Sequence, residues 1–135
     1  MILLDTDVLV DVALDREDHA DSAARLLDRV ENGEVRAAVA WHSMSNLYYL
    51  VAPAHGGVRT RDFIVQLVSF VDVAKTGTEE MRYAAGLPLA DFEDAMQVAA
   101  ARACGARWIV TRNLRDYTRS PIPAISPSQA LTELA

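Results

Sequence analysis

The chain has 135 residues, is 51% hydrophobic and 24% charged, and carries a formal net charge of −6. That length suits one domain, residues 1–135, with a core of its own, and the composition excludes a disordered chain. A single cysteine, Cys104, excludes an intramolecular disulfide, and the longest apolar runs fall far short of a membrane span. With no signal peptide visible, a reducing cytoplasm is the expected compartment.

The opening MILLD is a short apolar run ended by an acid, which suits a buried parallel strand. Thr6 and Asp7 then open VLVDVAL, a short helix. Between Glu17 and Val30, Ala20, Ala23, Ala24, Leu26, Leu27 and Val30 recur at helical spacing, and Asn32–Gly33 stops that helix. Val35 to Ala40 reads as a second strand. His42 to Val51 is apolar at helical spacing, with Pro53 expected to end it. Thr60 to Ser69 is a helix, Phe70 to Ala74 a third strand, and Thr78 to Ala85 a helix ended near Gly86 and Pro88. Asp91 to Cys104 is a long helix stopped by Gly105. Trp108 to Thr111 is a fourth strand, Ile122 to Ile125 a short fifth, and Ser126 to Leu134 a closing helix. Strands alternating with helices indicate an α/β fold around a mainly parallel sheet. In such sheets, sites gather outside the carboxyl ends of the strands.

Acids stand at those ends. Asp5 closes the first strand, Asn113 and Asp116 follow the fourth, and Asp91, Glu93 and Asp94 open the long helix. Carboxylates gathered in one crevice repel each other and are costly to desolvate unless a cation sits among them. Hard oxygen ligands suit Mg²⁺ or Mn²⁺. Such ions activate water and clamp an in-line phosphoryl displacement. Other readings compete residue by residue. Asp91 fits a helix N-cap, with Asp94 as the reciprocal acid of a capping-box-like start, and Glu93 fits surface charge. Asp94 also precedes the apolar AMQVAAA run, so its carboxylate belongs near the core edge. Asp7 reads as a cap of the first helix, Asp11 as surface charge, and Cys104 as buried filler.

The acidic net charge opposes nucleic-acid binding, which draws its affinity from phosphate contacts. Its distribution softens the objection: Arg102, Arg107, Arg112, Arg115 and Arg119 share a stretch whose only acid is Asp116, and a bound metal reverses the sign of an acidic cluster. A different chemistry would use Asp5 as a phosphatase nucleophile with Asp7 as acid. Lys75, the only lysine, stands in no suitable context for it.

Taken together, these blocks resemble the PIN-domain family, which includes the VapC-like ribonuclease toxins of bacterial toxin–antitoxin pairs. LLDTDVLVD is similar to the family's first-strand motif. DFEDAMQVAAARACGARWIVTRNLRDY is similar to its carboxyl half, and SPIPAISPSQAL to its last strand and helix. A lone Asp-Thr-Asp would also suit a phosphotransferase of the haloacid-dehalogenase sort; the weight rests on the two end blocks at the family's spacing. The resemblance implies a three-layer α/β/α sandwich with a mainly parallel central sheet, often dimeric. It implies an endoribonuclease that uses Mg²⁺ or Mn²⁺ to hydrolyse RNA phosphodiester bonds. It implies Asp5, Asp94 and Asp116 around the metal, Asn113 as a polar ligand or outer partner, and Thr6 and Thr111 as hydroxyls that orient carboxylates. Arg112 and Arg115 are expected to contact the nucleic acid.

One departure stands out. The family usually places a Glu in the helix after the second strand, where this chain has Asn46. An amide offers a carbonyl oxygen but no charge. That implies weaker metal binding, a metal supported through water, or a catalytically weak or inactive nucleic-acid-binding relative. His42 and Ser43 are the nearby groups able to compensate, although His42 also fits a structural histidine at a helix start. The implied partners are RNA, an antitoxin protein and a second copy of the chain. The apolar helix carrying Leu47, Tyr48, Tyr49, Leu50 and Val51 offers a groove for a partner helix, unless those side chains fill the core.

Overall fold

The computed structural model describes residues 1–134. Five strands, β1 (Ile2–Leu4), β2 (Ala37–Val39), β3 (Asp72–Val73), β4 (Trp108–Val110) and β5 (Ala124–Ile125), form one sheet in the order β3-β2-β1-β4-β5. Every pairing is parallel, with Leu3 opposite both Ala38 and Ile109. A parallel sheet needs both faces covered, and the side-chain period of two does the sorting. Ile2, Leu4, Val39, Val110 and Ile125 point into one core cluster, whereas Leu3, Ala38 and Ile109 point into the other.

The first face is covered by α1 (Thr6–Ala13), α2 (Ala20–Glu31), α3 (Trp41–His55), α4 (Gly57–Leu67) and α7 (Pro127–Glu133). These helices present Val8, Leu9, Leu26, Leu47, Leu67 and Leu131 to that core. The second face is covered by α5 (Thr78–Ala85) and α6 (Phe92–Ala103). Here Val98, Ala100 and Ala101 lie on the sheet, and the run of small alanines lets α6 approach closely. The architecture is the expected α/β/α arrangement. No helix among the described residues is long and apolar enough to cross a membrane.

Several expected boundaries move, among them two at helix ends. Pro53 does not end α3; it sits inside the last turn, and the helix runs on to His55. A proline so near a helix end forfeits little of the hydrogen-bond ladder, and Gly56, at φ +84°, makes the break instead. The second helix starts at Ala20 rather than Glu17. Residues 14–19 are occupied by a polar turn in which the Arg16 amide bonds back to the Asp11 carbonyl and Asp15 adopts φ +50°. Gly33 and Gly105 stop α2 and α6 as expected, at φ +81° and +72°. Cys104, just before that stop, is half-buried, and burial pushes its thiol up, as befits filler rather than a nucleophile.

Successive strands run one way from β1 to β3 and the other way through β4 and β5. The order therefore reverses between β1 and β4, and the crevice outside their carboxyl ends is where such sheets place ligands.

The left-handed turn at Gly105 has open space around it, so a methyl there would meet nothing but the backbone penalty. Gly105→Ala is expected to destabilise the protein by about 1 kcal/mol, a drop of roughly 3 °C in melting temperature. An unchanged midpoint would mean that α6 does not end in this conformation.

Candidate active site

Asp5 is the N-cap of α1. Its Oδ1 accepts from the Thr6 amide at 2.7 Å, and its Oδ2 accepts from the Thr111 and Tyr117 hydroxyls, each at 2.9 Å. Asp7, two residues further on in the first turn of α1, also reaches the Thr111 hydroxyl. Its Oδ2 accepts from the Arg112 amide at 3.1 Å and the Asn113 side-chain amide at 3.0 Å, and lies 3.2 Å from the Thr111 hydroxyl. That hydroxyl has one proton for two carboxylates. Asp94 arrives from α6. Asp91 caps that helix by accepting from the Asp94 amide, which leaves the Asp94 carboxylate free to turn inward. Its Oδ1 lies 3.3 Å from the Tyr117 hydroxyl, so the phenol stands between Asp5 and Asp94.

Asp5, Asp7 and Asp94 line a crevice of about 470 Å³ together with Asn46, Tyr49, Leu50, Glu93, Asn113 and Arg16. A second cavity, of about 420 Å³, lies among Trp41, His42, Thr78, Met81 and Met96. It is more apolar and holds none of the converging carboxylates.

The electrostatics follow from crowding and burial. Burial pushes the Asp5 carboxyl above its ordinary value, against the hydrogen bonds from Tyr117, Thr111 and Thr6 that pull it down. Burial, reinforced by the Asp5 charge, pushes Asp7 up to about 6. Asp94 is pushed up to about 7 by burial and by the charges of Asp91, Asp5 and Asp116. The Tyr117 phenol is pushed up by burial and by the same acids, which keeps it a proton donor to them. A cluster whose members resist ionisation is short of positive charge.

Several residues differ from their expected roles. Asp116 does not join Asp5 and Asp94. It sits on a 3-10 turn, Leu114–Tyr117, which buries Tyr117 and leaves Asp116 exposed; its mark on the site is the repulsion it adds to Asp94. Asp7 stands in its place, because the first turn of α1 carries it to the same hydroxyl as Asp5. Asp5, not Asp7, is the helix cap. Thr6 does not orient a carboxylate with its hydroxyl. That group donates to the Ser43 hydroxyl at 2.9 Å, and Gln97 donates to Ser43 at 2.8 Å. Thr111 does orient carboxylates, Asn113 holds Asp7, and Asn46 lines the crevice. His42 lies 3.8 Å from Glu93, at the mouth of the other cavity, and burial lowers its pKa.

The arginines divide. Asp11 is 1% exposed rather than surface charge, and it takes Arg112 through Nε at 2.9 Å and Nη2 at 3.1 Å. Arg112 is thus engaged within the fold instead of being free for nucleic acid. Arg115 is exposed and lies outside the crevice lining. Lys75 lines a different depression with Trp41, Val73 and Thr76, which removes the cation a phosphoaspartate chemistry would need near Asp5. Sequence reasoning missed Tyr117, Gln97 and Arg16. The aromatic after Asp116 was a visible signal for Tyr117; nothing in the pattern marked Gln97, an amide in an alanine-rich run.

Among the described residues, no three His, Cys, Asp or Glu side chains stand close enough to hold an ion as arranged. Neutral hydroxyl protons occupy the positions between the carboxylates instead. The donor set nonetheless fits a hard divalent cation. It is all oxygen, its acids resist ionisation for want of positive charge, and Asp7 Oδ1 is a buried carboxylate oxygen with no hydrogen-bond partner.

Residues 1–115 match the PIN domain family. The chain belongs to the PIN-domain family. Three solved structures share the PIN fold with it. The VapBC2 complex of Rickettsia felis, bound to a DNA fragment from its promoter, is 19% identical with a TM-score of 0.72, covering 93% of this chain and 98% of that one. A toxin–antitoxin complex from Klebsiella pneumoniae is 18% identical with a TM-score of 0.70, covering 94% and 98%. VapC20 of Mycobacterium tuberculosis, a sarcin–ricin loop cleaving toxin, is 15% identical with a TM-score of 0.64, covering 81% and 87%. No curated protein sequence matches the chain significantly.

The raised acids give this PIN domain a pH signature. Asp7 and Asp94 hold protons in the folded state up to about 6 and 7, while the unfolded chain releases them near the ordinary carboxylate value. Their contribution is therefore full at low pH and is lost as pH rises through those values. Without metal, the melting temperature is expected to fall between about pH 5 and about pH 8, and less so in Asp94→Asn. A profile that is level, or rises, over that window contradicts the assignment. Tyr117→Phe removes the hydrogen bond to Asp5 while keeping the ring, and is expected to lower stability by about 1 kcal/mol in urea titration; no loss at all would mean the phenol does not bridge the acids.

Proposed function

We propose that this PIN domain is a metal-dependent endoribonuclease that hydrolyses RNA phosphodiester bonds at the Asp5–Asp7–Asp94 crevice, and that it acts as the toxin of a toxin–antitoxin pair. The observation that carries the reading is the convergence of three carboxylates from α1 and α6 outside the β1–β4 switch point, with Asp7 Oδ1 unpartnered. The likeness to VapBC complexes and to a loop-cleaving toxin supports it.

Asp5, Asp7 and Asp94 are the groups that would hold Mg²⁺ or Mn²⁺. When bound, such an ion lowers the pKa of a water and neutralises charge on phosphoryl oxygens. The surrounding side chains do the positioning. Thr111, Asn113 and the Arg112 amide hold Asp7, and Tyr117 holds Asp5 against Asp94. Fixed ligands need little rearrangement, which is how outer hydrogen bonds tune a metal site. Asn113 lines the crevice and acts through Asp7, and Asp116, outside the lining, acts through the field at Asp94.

An antitoxin and a second copy of the chain are the proposed protein partners, and a reducing cytoplasm is the proposed compartment. Tyr49 is 73% exposed and Leu50 55%, while Leu47 and Val51 of α3 are buried. Half of that helix therefore fills the core and half offers apolar surface beside the crevice, which suits a partner helix. A second reading, a non-cleaving RNA-binding module, draws on the neutral amide of Asn46 in the crevice lining.

The test is cleavage of RNA with and without Mn²⁺. Mn²⁺-dependent cutting is expected in the parent, with losses of at least roughly 100-fold in Asp5→Asn and Asp94→Asn and a smaller loss in Asp116→Asn. If Asp5→Asn cuts as fast as the parent, the crevice is not the active site. If the parent binds RNA but neither cuts it nor takes up Mn²⁺ in calorimetry, the module reading replaces the enzyme.

A further inference from the structure

Asp11 is buried, yet two guanidiniums converge on it. Arg112 covers both of its oxygens, and Arg16 adds a third contact through Nη1 at 3.2 Å. One carboxylate balances one arginine, so the trio of Asp11, Arg16 and Arg112 carries one positive charge in surplus. Arg112 meets the geometric requirement of Asp11 alone, with the two parallel bonds that match a carboxylate. Arg16 is the more open of the two, with a side chain 42% exposed against 30% for Arg112. It is also the one basic side chain among the described residues that line the acid crevice.

The surplus guanidinium is held in place from two sides. Its Nη1 lies on Asp11, and its backbone amide bonds the Asp11 carbonyl at 3.0 Å, across the turn that Asp15 makes at φ +50°. Its Nε and Nη2 take no part in the Asp11 contact. An arginine already fixed by one contact loses less conformational freedom when its remaining donors take up a ligand. The ligand such donors match is an oxyanion.

We propose that Arg16, anchored by Asp11, is the residue that grips an RNA backbone phosphate at the mouth of the crevice, the role that Arg112 is too engaged to fill. The inference rests on the ribonuclease reading of the crevice. In a chain of net charge −6, a polyanion approaching four carboxylates needs a local cation beside them, and Arg16 is the one the fold delivers there. A phosphate contact made alike in ground and transition states acts on KM rather than kcat.

The experiment uses the full chain and a short fluorescein-labelled single-stranded RNA. Binding is read by anisotropy over a sodium chloride series, in EDTA and again in Ca²⁺, and cleavage kinetics are read in Mn²⁺. Arg16→Gln is expected to weaken binding roughly tenfold, to lower the slope of log K against log salt by about one, and to raise KM with kcat within about twofold. Arg16→Lys keeps the charge and is expected to recover most of the binding. Arg36→Gln removes an equal exposed charge at the amino end of β2, the end of the sheet away from the crevice, and is expected to change little. Asp11 keeps its two bonds to Arg112 in Arg16→Gln, so the variant is expected to fold, which its melting curve checks. Binding and KM equal to the parent's in Arg16→Gln overturn the assignment, even where that variant weakens a co-purified protein partner instead. Equal losses in Arg16→Gln and Arg36→Gln also overturn it, since they show a general charge effect. A parent that binds RNA without cutting it sinks the nuclease reading and leaves the Arg16 comparison to be read from binding alone.

Discussion

Because β1 runs parallel to β4 with Leu4 opposite Val110, Asp5 and Thr111 leave the sheet side by side, and the Thr111 hydroxyl donates to the Asp5 carboxylate at 2.9 Å. The chain turns into α1 immediately after Asp5, which brings Asp7 to the same hydroxyl. It turns into a 3-10 helix soon after Thr111, which brings the Tyr117 phenol to the other side of Asp5. The crevice is thus assembled by one strand pairing and two tight turns. Its acids are near one another because the backbone puts them there, not because they attract. Neutral donors make that proximity tolerable: Thr111, Asn113 and Tyr117 supply hydrogen bonds without supplying charge. The result is a site that is satisfied in part and still electron-rich, and that combination is what a hard cation answers.

Beneath the acids lies a second polar layer. Thr6 from α1, Ser43 from α3 and Gln97 from α6 are all buried and bonded to one another. Gln97 Oε1 finds no partner, which leaves a buried amide oxygen in the floor of the site. Buried polar groups of this kind are costly unless their geometry is kept, so they fix the relative setting of the helices that carry them. Asp11 plays the same part on the other flank, tying the end of α1 to the segment after β4 through Arg112. The carboxylates therefore stand on a frame pinned from two directions, one neutral and one charged.

The parts of this arrangement that could be read from the sequence are those set by periodicity and punctuation. The alternation of short apolar runs with helical stretches gave the parallel sheet, and Asn32–Gly33 and Gly105 marked true helix ends. Asp5 and Asp94 were legible because each stands at the end or start of such an element. Asp7 and Asp116 were not distinguishable by the same logic. Both follow a strand by a few residues, and only the three-residue rise of a 3-10 turn, against the first turn of α1, decides which carboxylate faces inward. Asp11 looked like surface charge because its partners, Arg16 and Arg112, are five and 101 positions away, and a pairing across 101 positions leaves no local signature. Thr6 carries the right hydroxyl at the right end of β1, but its direction depends on Ser43, which periodicity cannot see.

The amide at Asn46 raises a question of charge that the crevice itself addresses. A neutral side chain there removes one negative charge from the set that would surround a cation. Glu93, in the first turn of α6, lines the same crevice, and its charge reaches Asp5, where it works against ionisation. A carboxylate on α6 thus stands in the field that a glutamate on α3 would have occupied. The two positions are not equivalent in aim, since Glu93 also leans toward His42 at 3.8 Å, and burial holds that imidazole toward its neutral form. A neutral histidine does not quench the glutamate. The negative field over the crevice is therefore sustained despite Asn46, and the demand for a compensating cation that follows from Asp5, Asp7 and Asp94 persists.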